Sequence, residues 1–117
     1  MSDIESISKD GIRVARICTT QIVGEDYIHR TGVELTRILG EMEEPALVLD
    51  LSEVTMMTSA MIGKMVFLNT QCKQKKIGFS VCSLGKEVAE AIQLTQIDKI
   101  LPIFDSQEDA IAAANEA

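Results

Sequence analysis

The segment Ala46-Leu47-Val48-Leu49-Asp50-Leu51 is a nearly continuous run of apolar residues. A strand that alternates apolar and polar residues has one face in water, whereas a continuous run indicates that both faces are covered. The run therefore predicts a central strand of a parallel sheet. Directly before it, the sequence 43–45 (Glu-Glu-Pro) ends a preceding helix, because the residue before a proline is pushed out of the α-helical region.

Strand and helix patterns alternate along the rest of the chain. The dipeptide Asp10-Gly11 predicts the tight turn of an N-terminal hairpin, because glycine tolerates the positive φ angle that such a turn requires. Strands are expected at residues 4–8, 12–18, 46–51, 77–82 and 100–104, and helices at 25–42, 59–74 and 86–97, with a last helix that Ser106 caps. Alternating strands and helices imply right-handed parallel crossovers. The order ββαβαβαβα thus predicts an α/β domain whose mainly parallel sheet is preceded by a hairpin.

Length and charge limit the classes of function that are open to the chain. Its 117 residues suffice for one domain, residues 1–117, with one hydrophobic core. A formal net charge of −7 disfavours nucleic acid and anionic lipid as partners, because both require clusters of lysine and arginine. The N-terminus lacks the basic and apolar regions of a secretion signal, and no segment has the roughly 18 apolar residues of a membrane span. We therefore expect a cytoplasmic protein that does not insert into membranes.

Residues that often carry chemistry are few and scattered. The three cysteines, Cys18, Cys72 and Cys82, are widely spaced, which predicts reduced thiols rather than disulfides or a zinc site. His29 is the single histidine and is expected on the surface of the first helix. Asp50 ends the buried strand and is expected to bond the following turn, since no second acid or base accompanies it. Without a nucleophile–base pair, a set of metal ligands or a cofactor motif, we expect no enzymatic activity, metal or cofactor.

The dipeptide Thr58-Ser59 lies at the start of the helix predicted at residues 59–74. The first N–H groups of a helix have no partner within it, and the positive end of the helix dipole lies there, so an anion is stabilised at this point. Two interpretations of Ser59 stay open. Its hydroxyl caps the helix, which Thr58 can also do, or it is a regulated phosphorylation site that also serves as a cap.

Four methionines lie close to this helix start: Met56, Met57, Met61 and Met65. Methionine fills irregular cores, but its flexible and polarizable side chain also suits adaptable docking surfaces. Helical spacing places Met61 and Met65 on the side of Leu68, where Met65 belongs to the core. We expect Met57 and Met61 to be the more exposed of the four, next to the start of the helix.

The chain resembles the STAS domains, the family of bacterial anti-sigma factor antagonists, in several segments that occur in the right order. The family pattern is a buried strand with a polar end, a short turn, and Asp-Ser-Ser/Thr-Gly-Leu-Gly leading into a helix. The corresponding residues here are Thr58, Ser59, Ala60, Met61, Ile62 and Gly63. Residues 74–82, 88–101 and 104–110 are similar to the following strand, the Leu-Thr-x-hydrophobic-Asp-Lys region and the closing helix start of the family. The resemblance is good over residues 45–114 and implies an α/β STAS fold, with a mixed, mainly parallel sheet and helices chiefly on one face.

The resemblance also implies a function. In that family the first serine of the motif, which corresponds to Ser59, is phosphorylated by a serine kinase that doubles as an anti-sigma factor. The unphosphorylated domain binds the kinase and frees the sigma factor, and phosphorylation releases the kinase. The chain is therefore expected to be a non-enzymatic protein–protein switch in bacterial signal transduction and transcription regulation, with Met57, Thr58, Met61 and Lys64 facing the partner.

Two positions depart from the family motif. Thr58 stands where the family has aspartate, and Met61 stands where it has glycine. Some STAS proteins that lack the full acidic motif act without phosphorylation, as scaffolds or accessory subunits. The alternative hypothesis is therefore a non-phosphorylated scaffold or accessory subunit in a stress-signalling or transporter complex. The sequence leaves the oligomeric state open.

Overall fold

The computed structural model describes residues 3–116, in which a five-stranded sheet is covered by helices on both faces. The strands are β1 (Ile4–Lys9), β2 (Ile12–Ile17), β3 (Gln21–Ile22), β4 (Ala46–Asp50), β5 (Met56–Met57), β6 (Gly78–Cys82) and β7 (Ile103–Phe104). The helices are α1 (Glu25–Glu41), α2 (Ser59–Gln74), α3 (Lys86–Leu94) and α4 (Gln107–Glu116), with a 3-10 turn at Ile97–Lys99. No helix of residues 3–116 is long and apolar enough to cross a membrane.

The sheet has the order β1-β2-β4-β6-β7, and its first two strands form the predicted hairpin. Asp10 and Gly11 have φ angles of 54° and 80°. Positive φ at both central residues matches the type I′ turn, whose twist suits the two flanking strands. The strands β2, β4, β6 and β7 are parallel to one another, so the sheet is mixed but mainly parallel.

Strand β4 lies at the centre of the sheet, and all five of its residues are buried, which confirms the interpretation of the apolar run. The ladder extends one residue further, because the N–H of Leu51 donates to a carbonyl of β6 at 3.1 Å. Leu47 and Leu49 face one side of the sheet, whereas Val48 faces the other.

The helices cover the two faces of the sheet unequally. The larger core receives side chains from α1, α2 and α3, such as Leu35, Met65 and Ile92. The smaller core, on the opposite face, receives Ala110 and Ile111 from α4. Three helices on one face and one on the other confirm the predicted STAS-like layering.

Two features of the fold differ from the sequence-based expectations. The third helix ends at Leu94 rather than near residue 97, because Gln96 has a left-handed φ of 60° and a 3-10 turn follows. The N–H groups of Ile100 and Leu101 bond back to this turn, so only residues 103–104 join the sheet as β7. The short pair of β3 and β5 was also not predicted.

Candidate functional site

The polypeptide that leads to helix α2 is anchored first at the end of β4. The Asp50 carboxylate is buried; one oxygen accepts a hydrogen bond from the backbone N–H of Ser52 at 2.8 Å. Its other oxygen accepts from Nε2 of Gln107, the first residue of α4, at 2.7 Å. These bonds confirm that Asp50 bonds the following turn, and they tie that turn to the helix on the opposite face of the sheet.

The two-stranded sheet of β3 and β5 provides a second anchor. The Thr20 carbonyl accepts hydrogen bonds from the N–H groups of Thr55 and Met56 at 2.7 and 3.1 Å, and from the Thr55 hydroxyl at 2.9 Å. The N–H of Thr58 donates to the Ile22 carbonyl at 3.3 Å. The start of α2 is thus held by backbone bonds up to the residue before Ser59.

Thr58 is the N-cap residue of α2, but its side chain does not cap the helix. Its extended backbone (φ −85°, ψ 164°) lets its carbonyl accept from the N–H groups of Met61 and Ile62. Its hydroxyl oxygen is buried and has no hydrogen-bond partner within residues 3–116. The hydroxyl of Thr58 is therefore neither a cap nor open to a kinase.

Ser59 is exposed as the first residue of α2, and its hydroxyl makes no hydrogen bond within the described part of the chain. Acidic residues lie in the first turns of α1, α3 and α4, where they complement the positive ends of the helix dipoles. Helix α2 has no acidic residue in its first turn. The positive end of its dipole is therefore not complemented by an acidic residue of its own first turn, and an anionic group on Ser59 would be stabilised by the dipole and by the N–H groups of that turn.

Five exposed residues in the first half of α2 define an outer face: Ser59, Ala60, Gly63, Lys64 and Phe67. Phe67 is the largest apolar side chain among them and is 58% exposed. Gly63 leaves open space between Ser59 and Phe67, since a Cβ at this position would contact nothing within 4 Å. The outer face thus combines a free hydroxyl, a cation and an exposed aromatic ring.

A groove of about 220 Å³ between α1 and α2 borders this outer face. Val33 of α1, which is 56% exposed, and Phe67 of α2 both line it. The side chain of Lys64 crosses towards Gly32. A Cβ atom added at Gly32 would lie 3.4 Å from Cδ of Lys64. The sequence-based prediction included Lys64 but missed Phe67 and Val33. The sequence did contain a signal for Phe67, because this residue does not follow the three- and four-residue spacing of the buried residues Met65 and Leu68.

The prediction that Met57 and Met61 are the more exposed methionines was wrong. Met57 is 8% exposed, because it pairs with Ile22 between β3 and β5 and both side chains face the core. Met61 is 0% exposed, since it lies one helical turn before Met65 on the buried side of α2. Met56 is the exposed methionine, at 46%. Neither Met57 nor Met61 therefore contributes surface to a partner.

The remaining residues of chemical interest are one histidine and three cysteines. His29 is exposed on α1, as expected, and it lines the groove between α1 and α2. The cysteines are unpaired; Cys72 and Cys82 are buried, whereas Cys18 is partly exposed. Burial raises the pKa of Cys72 and of Cys82 to about 11, so both thiols stay protonated at neutral pH.

Solved structures share this fold. An anti-sigma factor antagonist from Mycobacterium paratuberculosis aligns with a TM-score of 0.85 at 23% identity, over 96% of this chain and 92% of that one. An anti-sigma factor antagonist (STAS) domain protein from Planctomyces limnophilus aligns with a TM-score of 0.79 at 21% identity, over 97% and 98%. A sulfate transporter family protein from Wolinella succinogenes aligns with a TM-score of 0.74 at 13% identity, over 93% and 88%. At these identities the alignments establish the fold.

The sequence model of the STAS domain matches residues 15–110, from the middle of β2 into α4. The match includes the whole of α2 and both strands that hold its start. The chain belongs to the STAS domain family.

Proposed function

We propose that the protein is a binding protein of the anti-sigma factor antagonist type, whose partner is an anti-sigma factor with serine kinase activity. The partner docks on the outer face of α2 and is released when it phosphorylates Ser59. The observation that carries the proposal is the exposed hydroxyl of Ser59, which has no hydrogen bond to any residue from 3 to 116, at the start of a helix with no acidic residue in its first turn. The proposal describes a switch and assigns no catalytic residue to this chain.

The exposure pattern of α2 supports this choice of hydroxyl. A kinase must reach the oxygen that it phosphorylates, and Ser59 is exposed whereas the Thr58 oxygen is buried. Large aromatic side chains dominate the energy of many protein interfaces, and Phe67 offers such a side chain two turns along the same helix face. The proposed contact surface therefore reaches from Ser59 to Phe67.

The effect of a phosphate on Ser59 follows from charge. Phosphorylation adds about −1.5 to −2 charges at neutral pH. The protein already carries a net charge of −7, but the positive end of the α2 dipole, which has no acidic residue in its first turn, stabilises the new anion. The phosphate therefore weakens binding of the partner, because a partner surface that is complementary to a neutral hydroxyl would have to desolvate the dianion.

The proposal is tested by incubating the protein with ATP and the serine kinase encoded nearest to its gene, followed by intact-mass measurement. One added phosphate is expected on the unmodified protein and on Ser52→Ala, which removes another exposed hydroxyl seven residues earlier. Ser59→Ala is expected to remain unphosphorylated. A phosphate that persists in Ser59→Ala would contradict the assignment of the site.

A second candidate function is a scaffold or accessory subunit that docks without phosphorylation. It is favoured by the two departures at the start of α2: threonine in place of aspartate at Thr58, and Met61 buried in place of glycine. The fold also occurs in the sulfate transporter family protein from Wolinella succinogenes. A stable complex with the partner that forms equally with and without ATP, and without any added phosphate, would support the scaffold over the switch.

A further inference from the structure

Strand β1 is an edge strand, since among residues 3–116 it pairs only with β2. Its residues from Glu5 to Lys9 are all exposed. Ile7, in the middle of the strand, is 51% exposed although it lies beside the core residue Val14. An exposed edge with an apolar residue at its centre is a template for pairing with another strand.

The hydrogen-bond pattern of the hairpin shows which backbone groups point outward. The N–H of Cys18 donates to the Asp3 carbonyl at 2.7 Å, so these two opposed residues form a hydrogen-bonded pair. In an antiparallel ladder such pairs alternate along the strand. Glu5, Ile7 and Lys9 therefore direct their backbone groups to β2, while residues 6 and 8 direct theirs to the open edge.

The side chains of β1 are complementary to a second copy of the same strand. Residues 5, 7 and 9 lie on one face of the strand, because side chains alternate along it. Antiparallel pairing about a two-fold axis through Ile7 places Ile7 opposite Ile7 of the second copy and Glu5 opposite Lys9 of the second copy, twice by symmetry. The same axis joins Ser6 to Ser8 of the second copy through the outward N–H and carbonyl groups. An axis through Ser6 would instead place Ile7 opposite Glu5.

The charges around β1 favour the pairing about Ile7. The Glu5 carboxylate bonds Arg16 at 2.7 Å, and Arg16 also bonds Glu53 at 2.8 Å. This group of two acids and one base has a net charge of −1. Among residues 3–116, the Lys9 ammonium has only a long contact, 3.4 Å, to the side-chain oxygen of Gln107. Lys9 of a second copy would therefore neutralise the acidic group next to Glu5.

We propose that two copies of this chain associate through β1, antiparallel and centred on Ile7, so that their two five-stranded sheets form one continuous sheet. The outer face of α2 lies on another element and takes no part in this contact. The contact between two edge strands is small, so the dimer is a weak one that forms at high protein concentration.

Sedimentation velocity over protein concentrations from micromolar to millimolar tests the pairing. The unmodified protein is expected to shift from monomer to dimer. Glu5→Lys and Lys9→Glu each place like charges opposite one another at two symmetric positions, which is expected to weaken the dimer about tenfold. The double variant Glu5→Lys/Lys9→Glu exchanges the charges and is expected to restore the dimerisation constant to within about threefold.

The charge exchange in the double variant distinguishes the effect of the proposed register from weaker dimerisation that merely follows from a less stable fold. Glu5→Lys also breaks the bond to Arg16 in the same chain, and Lys9→Glu does not repair that bond. Circular dichroism of each variant controls for folding. A protein that stays monomeric throughout the concentration range, or a double variant that remains as weak as the single variants, would overturn the proposal.

Cross-linking gives an independent test of the axis. In the proposed register residue 7 faces its own copy as a non-hydrogen-bonded pair, with Cα atoms about 4.5 Å apart, a distance that a disulfide can span. Ile7→Cys is expected to form a covalent dimer under mild oxidation. Leu94→Cys, 85% exposed at the end of α3, is the matched control and is expected to remain monomeric. Equal cross-linking of both variants, or none at residue 7, would contradict the pairing.

Discussion

Replacement of Thr58 by valine is expected to stabilise the protein, because the threonine hydroxyl is buried without a hydrogen-bond partner in the described part of the chain. Valine has the same shape, and the extended backbone at this position suits a β-branched residue. An unbonded buried hydroxyl costs about 1–3 kcal/mol in proteins, and the methyl group that replaces it gains roughly 0.8 kcal/mol if it is buried. Since part of this gain is lost to imperfect fit, we expect about 1.5 kcal/mol of added stability.

Urea unfolding followed by circular dichroism measures the effect. For a protein of this size the urea midpoint of Thr58→Val should rise by about 0.7 M, and its Tm by about 5 °C. Thr55→Val is the matched control, because the Thr55 hydroxyl donates to the Thr20 carbonyl at 2.9 Å. It should lower stability by about 1 kcal/mol. A loss of about 1 kcal/mol or more in Thr58→Val, typical of a removed N-cap, would refute the reasoning.

Three further predictions concern acid stability, thiol reactivity and the packing of α2. Burial by itself raises the pKa of Glu44, but hydrogen bonds, including those from Ser8 and from Arg13, outweigh it and lower the pKa from 4.5 to about 2. Its contribution to stability, about 2 kcal/mol, is therefore present above pH 4.5 and is lost as the pH falls through 2. Urea unfolding of Glu44→Gln should show this deficit at pH 7 and only a small part of it at pH 2, and a deficit independent of pH would contradict the assignment. The partly exposed thiol of Cys18 should react first with a thiol reagent at pH 8, whereas the buried thiols of Cys72 and Cys82 should react only after unfolding. A count of three rapidly reacting thiols in the native protein would be inconsistent with the burial of these two residues. Met61→Ala should cost about 3 kcal/mol in urea unfolding, whereas a cost below about 1 kcal/mol would mean that the side chain is not packed as described.

Most of the sheet was predictable from local patterns. The continuous apolar run of β4 indicated a central strand, and Asp10-Gly11 indicated a type I′ hairpin, because each pattern has a direct steric or solvation cause. The Ser106 cap of α4 was predictable for the same reason, and its hydroxyl accepts from the N–H of Asp109 at 3.1 Å.

The parts that escaped prediction depend on tertiary contacts. The strands β3 and β5 have two residues each, which is too short for a periodic pattern, and they form because the Thr20 carbonyl collects three hydrogen bonds from Thr55 and Met56. Met57 is buried through this pairing, so its exposure was misjudged. The four-residue spacing between Met61 and Met65 already indicated that Met61 is buried, so the expectation that Met61 is exposed was inconsistent with the helical periodicity.

The exposure of Ser59 next to the buried oxygen of Thr58 could not be predicted either. Both residues carry a hydroxyl, and either one can cap a helix. The bond from the N–H of Thr58 to the Ile22 carbonyl fixes the orientation of the turn. Which oxygen is accessible thus depends on a strand more than thirty residues earlier in the chain.

The most direct measurement of the proposed switch compares two replacements of Ser59 that have the same shape and differ in charge. Titration calorimetry gives the dissociation constant of the anti-sigma factor kinase for Ser59→Asp and Ser59→Asn. The switch predicts that Ser59→Asp binds at least about tenfold more weakly than Ser59→Asn, because only the aspartate places an anion in the interface. Equal dissociation constants for the two variants would contradict it.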